Sequence, residues 1–320
     1  MFFKRYVPAP AQGTGAAKPE QKRNHRHRHL KGRTVFVVVM LAYPVAQFLI
    51  TWLGVNINSL LLAFEVPVRG VMTWVPADDI FYNFTTLFES FKSPQTQSMF
   101  LASLAYFVVS CLVTLPLSLF FSYFVFKKVV MSDFFKVIFY LPSILPLVIL
   151  TLVYALSFDP KGFMTALLGF FGIPNNGLLI GTTAKWMVWI FCIWAGIGYN
   201  VILLTAGMSR IPREVLESVK MDGCGPFREF AQVIVPLTWP TVTTLFLFGM
   251  MSVFNVFLQP FFLTAGQYDT MTIGLRIYQA SRGPGLNDPA TLGLFCSVIG
   301  TPFILLARWG LNRAFGDINF

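Results

Sequence analysis

The sequence predicts an all-α, polytopic membrane protein with six transmembrane helices. Three observations lead there. Of 320 residues, 55% are hydrophobic and only 12% are charged, about half the charged share of a soluble domain. Six apolar stretches, at about 34–53, 100–126, 137–157, 185–207, 235–263 and 290–307, approach or exceed the roughly 20 residues that span a hydrocarbon core. Basic residues bound them: Lys31 and Arg33 before the first, Lys127 and Lys128 after the second, Arg308 after the last. A helix is the natural spanning element because it satisfies its own backbone polar groups.

Residues 1–30 are Pro, Gly, Ala and charge without an apolar period, which reads as a disordered basic tail. Residues 31–320 form the membrane domain. The polar residues ahead of the first span argue against a cleaved signal peptide. His25, His27 and His29 alternate with arginine, the pattern of a solvated tail rather than a metal site. Cys111, Cys192, Cys224 and Cys296 lack metal-ligand spacing and read as small apolar packers.

Residues 54–99 form a long connection. Within it, Ile80, Phe84, Leu87, Phe88 and Phe91 fall at helical spacing behind Asp78 and Asp79, predicting an Asp-capped interfacial helix. Asn83-Phe84-Thr85 also fits a glycosylation sequon, a pattern of low specificity. Prolines punctuate the spans at positions 44, 116, 142, 146, 236, 240, 260 and 302; broken spans often line a pathway.

Orientation follows from the basic residues. With the N-terminus inside, 18 Lys and Arg face the cytosol and six face out. Both termini and the loop 208–233 are then cytosolic. The net charge of +10 sits where anionic lipid attracts it, so no nucleic-acid partner is expected.

The loop 208–233 is the chain's most soluble-looking stretch. Ile211, Val215, Leu216 and Val219 share one helical face, and Arg213, Glu214, Glu217 and Lys220 fall largely on the other. Pro212 suits a first turn, and Asp222-Gly223 is a stop with glycine left-handed. After Gly225-Pro226, a second apolar stripe runs through Phe227, Phe230, Ala231 and Ile234. Such a pair can lie on the bilayer, on its own chain, or in a partner's groove.

This loop resembles the Glu-Ala-Ala loop of binding-protein-dependent ABC import permeases. Glu217, Gly223 and Pro236 match at the right spacing, while Ser218 and Val219 replace the two alanines, and Val233 and Val235 replace Ile and Leu. The words IPREVLESVKMDGCGPF, PADDIFYNFTTLF, FYLPSILPLV and VFNVFLQPFFLTAGQYDT resemble the carbohydrate branch, of the maltose and glycerol-3-phosphate type, favouring the larger maltose permease subunit. The resemblance covers about residues 34–310. It implies a type I ABC importer permease whose loop docks on a cytosolic ATPase dimer, with Glu217, Ser218, Asp222, Gly223 and Pro236 as ATPase-coupling residues. It further implies a second permease subunit, an extracytoplasmic solute-binding protein, and residence in a prokaryotic cytoplasmic membrane. The solute is expected to be a sugar or oligosaccharide, with a polyol phosphate as the alternative.

Intramembrane polar groups mark a solute pathway. Asn200 and Gln259 are read from the residues themselves; Gly196, Tyr199 and Asn255 also match the family pattern. Cys192, Ser252, Val253 and Val256 depart from it, which implies a remodelled site. No GxxxxGK[ST] motif occurs, so no catalytic residue and no cofactor are expected in this chain, and ATP–Mg belongs on the partner ATPase. An ion-coupled carrier would want acids or bases inside the spans; apart from Lys185 at a boundary, the central spans hold none.

Overall fold

The computed structural model describes residues 22–69, 71–172, 177–283 and 285–315. Residues 1–21, most of the segment read as a tail, lie outside the described residues. The chain divides into two units, Met1–Asn58 and Ser59–Phe320, each taken by itself.

In the first unit, helical backbone begins at Lys22, so the last residues assigned to a disordered tail are instead helical. The helix Lys22–Gln47 is followed by a wide π-turn at Phe48–Leu53, and the helix Gly54–Leu62 begins in this unit and ends in the second. The stretch Gly32–Leu62 is long and apolar enough to cross a membrane. Val35, Phe36, Tyr43, Ile50 and Trp52 all stand exposed on it. A helix apolar all round is stable only when lipid or protein surrounds it.

The second unit supplies the remaining spans. Three are Pro94–Phe126, Gly181–Met208 and Asn287–Arg313. Two more form only as bent pairs: Ser132–Ile144 with Leu147–Ser157, bent by 108°, and Pro226–Leu237 with Trp239–Asn255, bent by 74°. The bends have local causes. Leu145 precedes Pro146 and is extended, with ψ 142°, because a residue before proline avoids the helical region. Pro236 and Pro240 flank the bend at Thr238.

The fifth span ends at Asn255, short of the expected 263. Pro260 has no N–H to give the Val256 carbonyl four residues back, and its ring would clash there. Val256 is extended, and a separate helix follows at Leu258–Thr264. The freed Val256 carbonyl accepts from the Thr272 hydroxyl at 2.5 Å.

The all-helical expectation omits one element. β1 (Glu65–Val68) and β2 (Val71–Trp74) form an antiparallel hairpin with Glu65 opposite Trp74. The helix expected after it is present as Tyr82–Ser90, but Asp78 and Asp79 do not cap it; they sit in a preceding 3₁₀ turn. Asn83 is buried, which overturns its reading as an acceptor site. Its Nδ2 donates to the Ala63 carbonyl at 2.9 Å and the Glu65 carbonyl at 2.8 Å. Its Oδ1 accepts from Asn287 Nδ2 at 3.2 Å. Asn83 thereby pins the hairpin to the start of the last span.

Candidate functional site

Two places in the second unit gather the expected residues. The first is midway along the spans. The second span carries Ala102, Tyr106, Ser110, Thr114, Ser118 and Ser122 four residues apart, so they form one ridge inclined to the helix axis. Small side chains allow helices to approach closely in lipid. Ser118 and Ser122 are fully buried, and each hydroxyl donates to the carbonyl four residues back at 2.6 Å. Gly249 on the fifth span exists for the same reason: a Cβ there would stand 2.5 Å from Cys111 Sγ.

The packing loosens where the second span widens into a π-turn at Val109–Thr114. The cause is Pro116, which cannot donate within the helix. Beside this turn lies a cavity of about 200 Å³. From the second span Tyr106, Ser110 and Thr114 line it; from the fourth, Cys192, Gly196, Tyr199 and Asn200; from the fifth, Phe248, Gly249 and Ser252. Val256 and Gln259, around the break made by Pro260, line it too, and Val109 and Leu245 complete the wall.

Gly196, Tyr199, Asn200 and Gln259 are thus brought together. Asn255 is not. It lines a separate cavity of about 280 Å³ with Phe254, Ser297, Gly300 and Thr301, towards the last span. Asn255 is the last residue of its helix and Val256 after it is extended, so the two neighbours line different cavities. The second-span contributors were missed by sequence reasoning. Their signal was the four-residue period of small and hydroxyl residues, with Tyr106 inside it.

Among the described residues the lining holds hydroxyls, two carboxamides and aromatic rings, and no charged side chain. The Tyr106 hydroxyl is buried and has no hydrogen-bond partner among the described residues. This surface suits a neutral polyhydroxyl molecule: rings stack on its faces and amides pair with its hydroxyls. Among the described residues no group of three or more His, Cys, Asp or Glu could hold a metal.

The second place is the loop between the fourth and fifth spans. Its first helix is Arg213–Met221. Gly223 follows with φ +68°. Its N–H donates to the Lys220 carbonyl and that of Cys224 to the Val219 carbonyl, which is the Schellman arrangement expected from Asp222-Gly223. Val215 and Leu216 pack on Tyr123, Met208, Ile211 and Ile234. Glu217, Ser218 and Asp222 are exposed, as are Met221 at 86% and Phe227 at 81%.

The second loop helix departs from the expected stripe. After Pro226–Glu229 the backbone takes a π-turn at Phe230–Ile234 before Pro236. The wider turn shifts the register, so Phe230 and Ile234 pack inward while Phe227 and Ala231 are exposed. Glu229, which the sequence did not single out, is buried instead.

Residues 114–313 match the family described as "Binding-protein-dependent transport system inner membrane component". A probable ABC transporter permease protein of Bacillus subtilis (strain 168), YurN, is 26% identical over 139 residues, 42% of this chain and 48% of its own length. The probable starch degradation products transport system permease protein AmyD of Thermoanaerobacterium thermosulfurigenes is 28% identical over 180 residues, 55% of this chain and 62% of its own. The sn-glycerol-3-phosphate transport system permease protein UgpA of Salmonella typhi is 33% identical over 135 residues, 41% and 46% respectively. The chain spans about half the length of the curated relatives it matches. In fold it resembles a chain of a bacterial ABC transporter that imports the acidic polysaccharide alginate. The TM-score is 0.74 at 22% identity, covering 90% of this chain and 99% of that one. A second structure of a bacterial alginate ABC transporter, in complex with an alginate pentasaccharide-bound periplasmic protein, gives 0.75 at 20% identity, covering 89% and 96%.

Proposed function

The chain belongs to the family of binding-protein-dependent transport system inner membrane components, and on that premise we propose that it is the membrane-spanning subunit of an ATP-driven importer for a sugar or oligosaccharide. The observation that carries the proposal is the uncharged cavity between the second, fourth and fifth spans. At about 200 Å³ it is smaller than the roughly 300–1,000 Å³ of a complete small-molecule site. In this reading a second permease subunit supplies the facing wall. A phosphate group would call for a cation, and the lining has none among the described residues; this favours a neutral sugar over a polyol phosphate.

The remaining partners follow from the loop. Exposed Met221 and Phe227 flank the Gly223 turn, with Glu217 on the same exposed surface. Apolar anchors beside a charge are what a docking surface needs: burial gives affinity and the charge gives register. We assign that surface to a cytosolic ATPase dimer, on which ATP–Mg is bound and hydrolysed. Glu217, Ser218, Asp222 and Gly223 would meet it, and Pro236 would set the exit of the loop into the fifth span. A solute-binding protein delivers the solute on the far side of the cytoplasmic membrane, and both termini lie in the cytosol.

The test is a gentle detergent extraction of this chain from its native membrane with mass spectrometry of co-eluting proteins. A second permease and a P-loop ATPase are expected with the wild type, and loss of the ATPase with Glu217→Arg. The chain eluting alone in detergents that preserve other complexes would refute the proposal. Binding of neutral sugars and polyol phosphates to the co-purified binding protein separates the two solute classes.

A further inference from the structure

The loop is joined covalently to the fourth span at one end and the fifth at the other. It has no covalent link to the second span, which nevertheless supplies Tyr106, Ser110 and Thr114 to the cavity. Any movement of the loop reaches that wall through side chains. Those side chains converge on the last turn of the second span. The Tyr123 hydroxyl donates to the Pro226 carbonyl at 3.0 Å and lies 3.5 Å from Glu229 Oε2. The Tyr123 ring stacks obliquely on Phe230, centroids 5.1 Å apart. Lys127, which follows that turn, forms an ion pair with Glu229 Oε1. The Glu229 side chain is 6% exposed and that of Lys127 24%. The ammonium also sits 5.8 Å from the centre of the Tyr123 ring.

We propose that the Lys127–Glu229 pair is a strut that makes the second span move with the second loop helix, so that a push on the loop is delivered to the cavity wall. The inference rests on the importer reading above. Its physical basis is the environment of the pair. Packing alone between two helices can slide. A buried carboxylate that loses its partner is left uncompensated in a poorly screened site, so the pair resists separation. Its placement is specific as well. The exposed tip at Met221 and Phe227 receives the push, and Glu229 lies two residues beyond Phe227 on the anchored side. From Lys127 the second span runs as helix for 33 residues, Pro94–Phe126, about 50 Å at 1.5 Å per residue. Tyr106, Ser110 and Thr114 are on that lever. Lys127 and Glu229 are therefore positioning residues: neither lines the cavity.

The experiment uses the whole complex, co-purified with its ATPase in lipid nanodiscs. Glu229→Gln is the informative variant, since the amide keeps the shape but carries no charge. Lys127→Met removes the other partner, and the double exchange Lys127→Glu with Glu229→Lys restores the pair in reverse. Hydrogen exchange is compared with and without a non-hydrolysable ATP analogue and magnesium. ATPase retention is expected to stay within about twofold of wild type in all three, because the exposed tip is unaltered. In wild type the nucleotide should change exchange over 94–108, at the far end of the second span. That change should shrink at least fivefold in either single variant and return in the exchange variant. A nucleotide response over 94–108 that survives both single substitutions would overturn the strut and leave the importer reading intact. A wild-type chain that retains no ATPase would overturn both.

Discussion

The two halves of the loop between the fourth and fifth spans are close in sequence and opposite in how they are held. The first, Arg213–Met221, rests on its own chain through Val215 and Leu216 and leaves Glu217, Ser218 and Met221 exposed. The second is tied down by the Lys127–Glu229 ion pair, the Tyr123 hydroxyl, Phe230 and the fully buried Ile234. The difference teaches which half answers to which partner. On the importer reading proposed above, exposed Met221 and Phe227 beside Glu217 make the first half and the turn the part that meets the ATPase. The second half packs on this chain.

The largest expected effect breaks the anchored half. Ile234→Ala removes a side chain with no exposed surface, and large-to-small changes in a core cost about 2–5 kcal/mol. The measurement is thermal or denaturant stability of the purified chain in detergent. A cost below about 1 kcal/mol would mean that the anchored half is no better packed than the tip.

Glu217→Arg should do the reverse. Glu217 is exposed and makes no ion pair among the described residues, so the isolated chain should keep its stability. ATPase retention should fall tenfold or more, equivalent to about 1.4 kcal/mol, and uptake should be lost. Full retention with the charge reversed would remove the reason for calling this half a docking surface.

Much of this contrast was legible in the sequence, for local reasons. The spans are apolar over their whole length, and the Asp222-Gly223 stop needs only its own turn to form. The breaks were half legible. Pro146 and Pro260 announce that a helix is in trouble, yet the outcome at Pro260 depends on Thr272 capturing the Val256 carbonyl, 16 residues on. The ridge from Ala102 to Ser122 was visible as a period of four, but its meaning depends on Gly196 and Gly249 arriving from other spans. The Lys127–Glu229 pair was not legible. Its members are 102 positions apart, and in sequence each looks like an ordinary loop charge. Asn83 was misread for the same reason, since its partners Ala63, Glu65 and Asn287 come from three different segments.

A smaller effect sits at the junction of the halves. Gly223 has φ +68°, and a Cβ there would meet nothing within 4 Å. The cost of Gly223→Ala is then conformational alone, about 1–2 kcal/mol for an L-residue in the left-handed region. Gly223→Asn should cost less, because asparagine tolerates that region. Stability that ranks Gly above Asn above Ala would confirm that the turn is held by backbone geometry. Equal stability of all three would mean that the first half is free to pivot.

The smallest effect on stability is the most telling for the comparison. Phe227 is 81% exposed although it begins the second half, so it belongs by position to the anchored segment and by surface to the tip. Phe227→Ala should change the stability of the isolated chain by no more than about 0.5 kcal/mol, the range for surface substitutions. Truncating a central aromatic anchor in a docking surface costs about 2 kcal/mol or more, so ATPase retention should fall by well over tenfold in the same variant. A loss of stability without a loss of retention would move Phe227 back to the anchored half. The boundary between what this chain holds and what its partner holds would then lie at the Gly223 turn itself, rather than one turn beyond it.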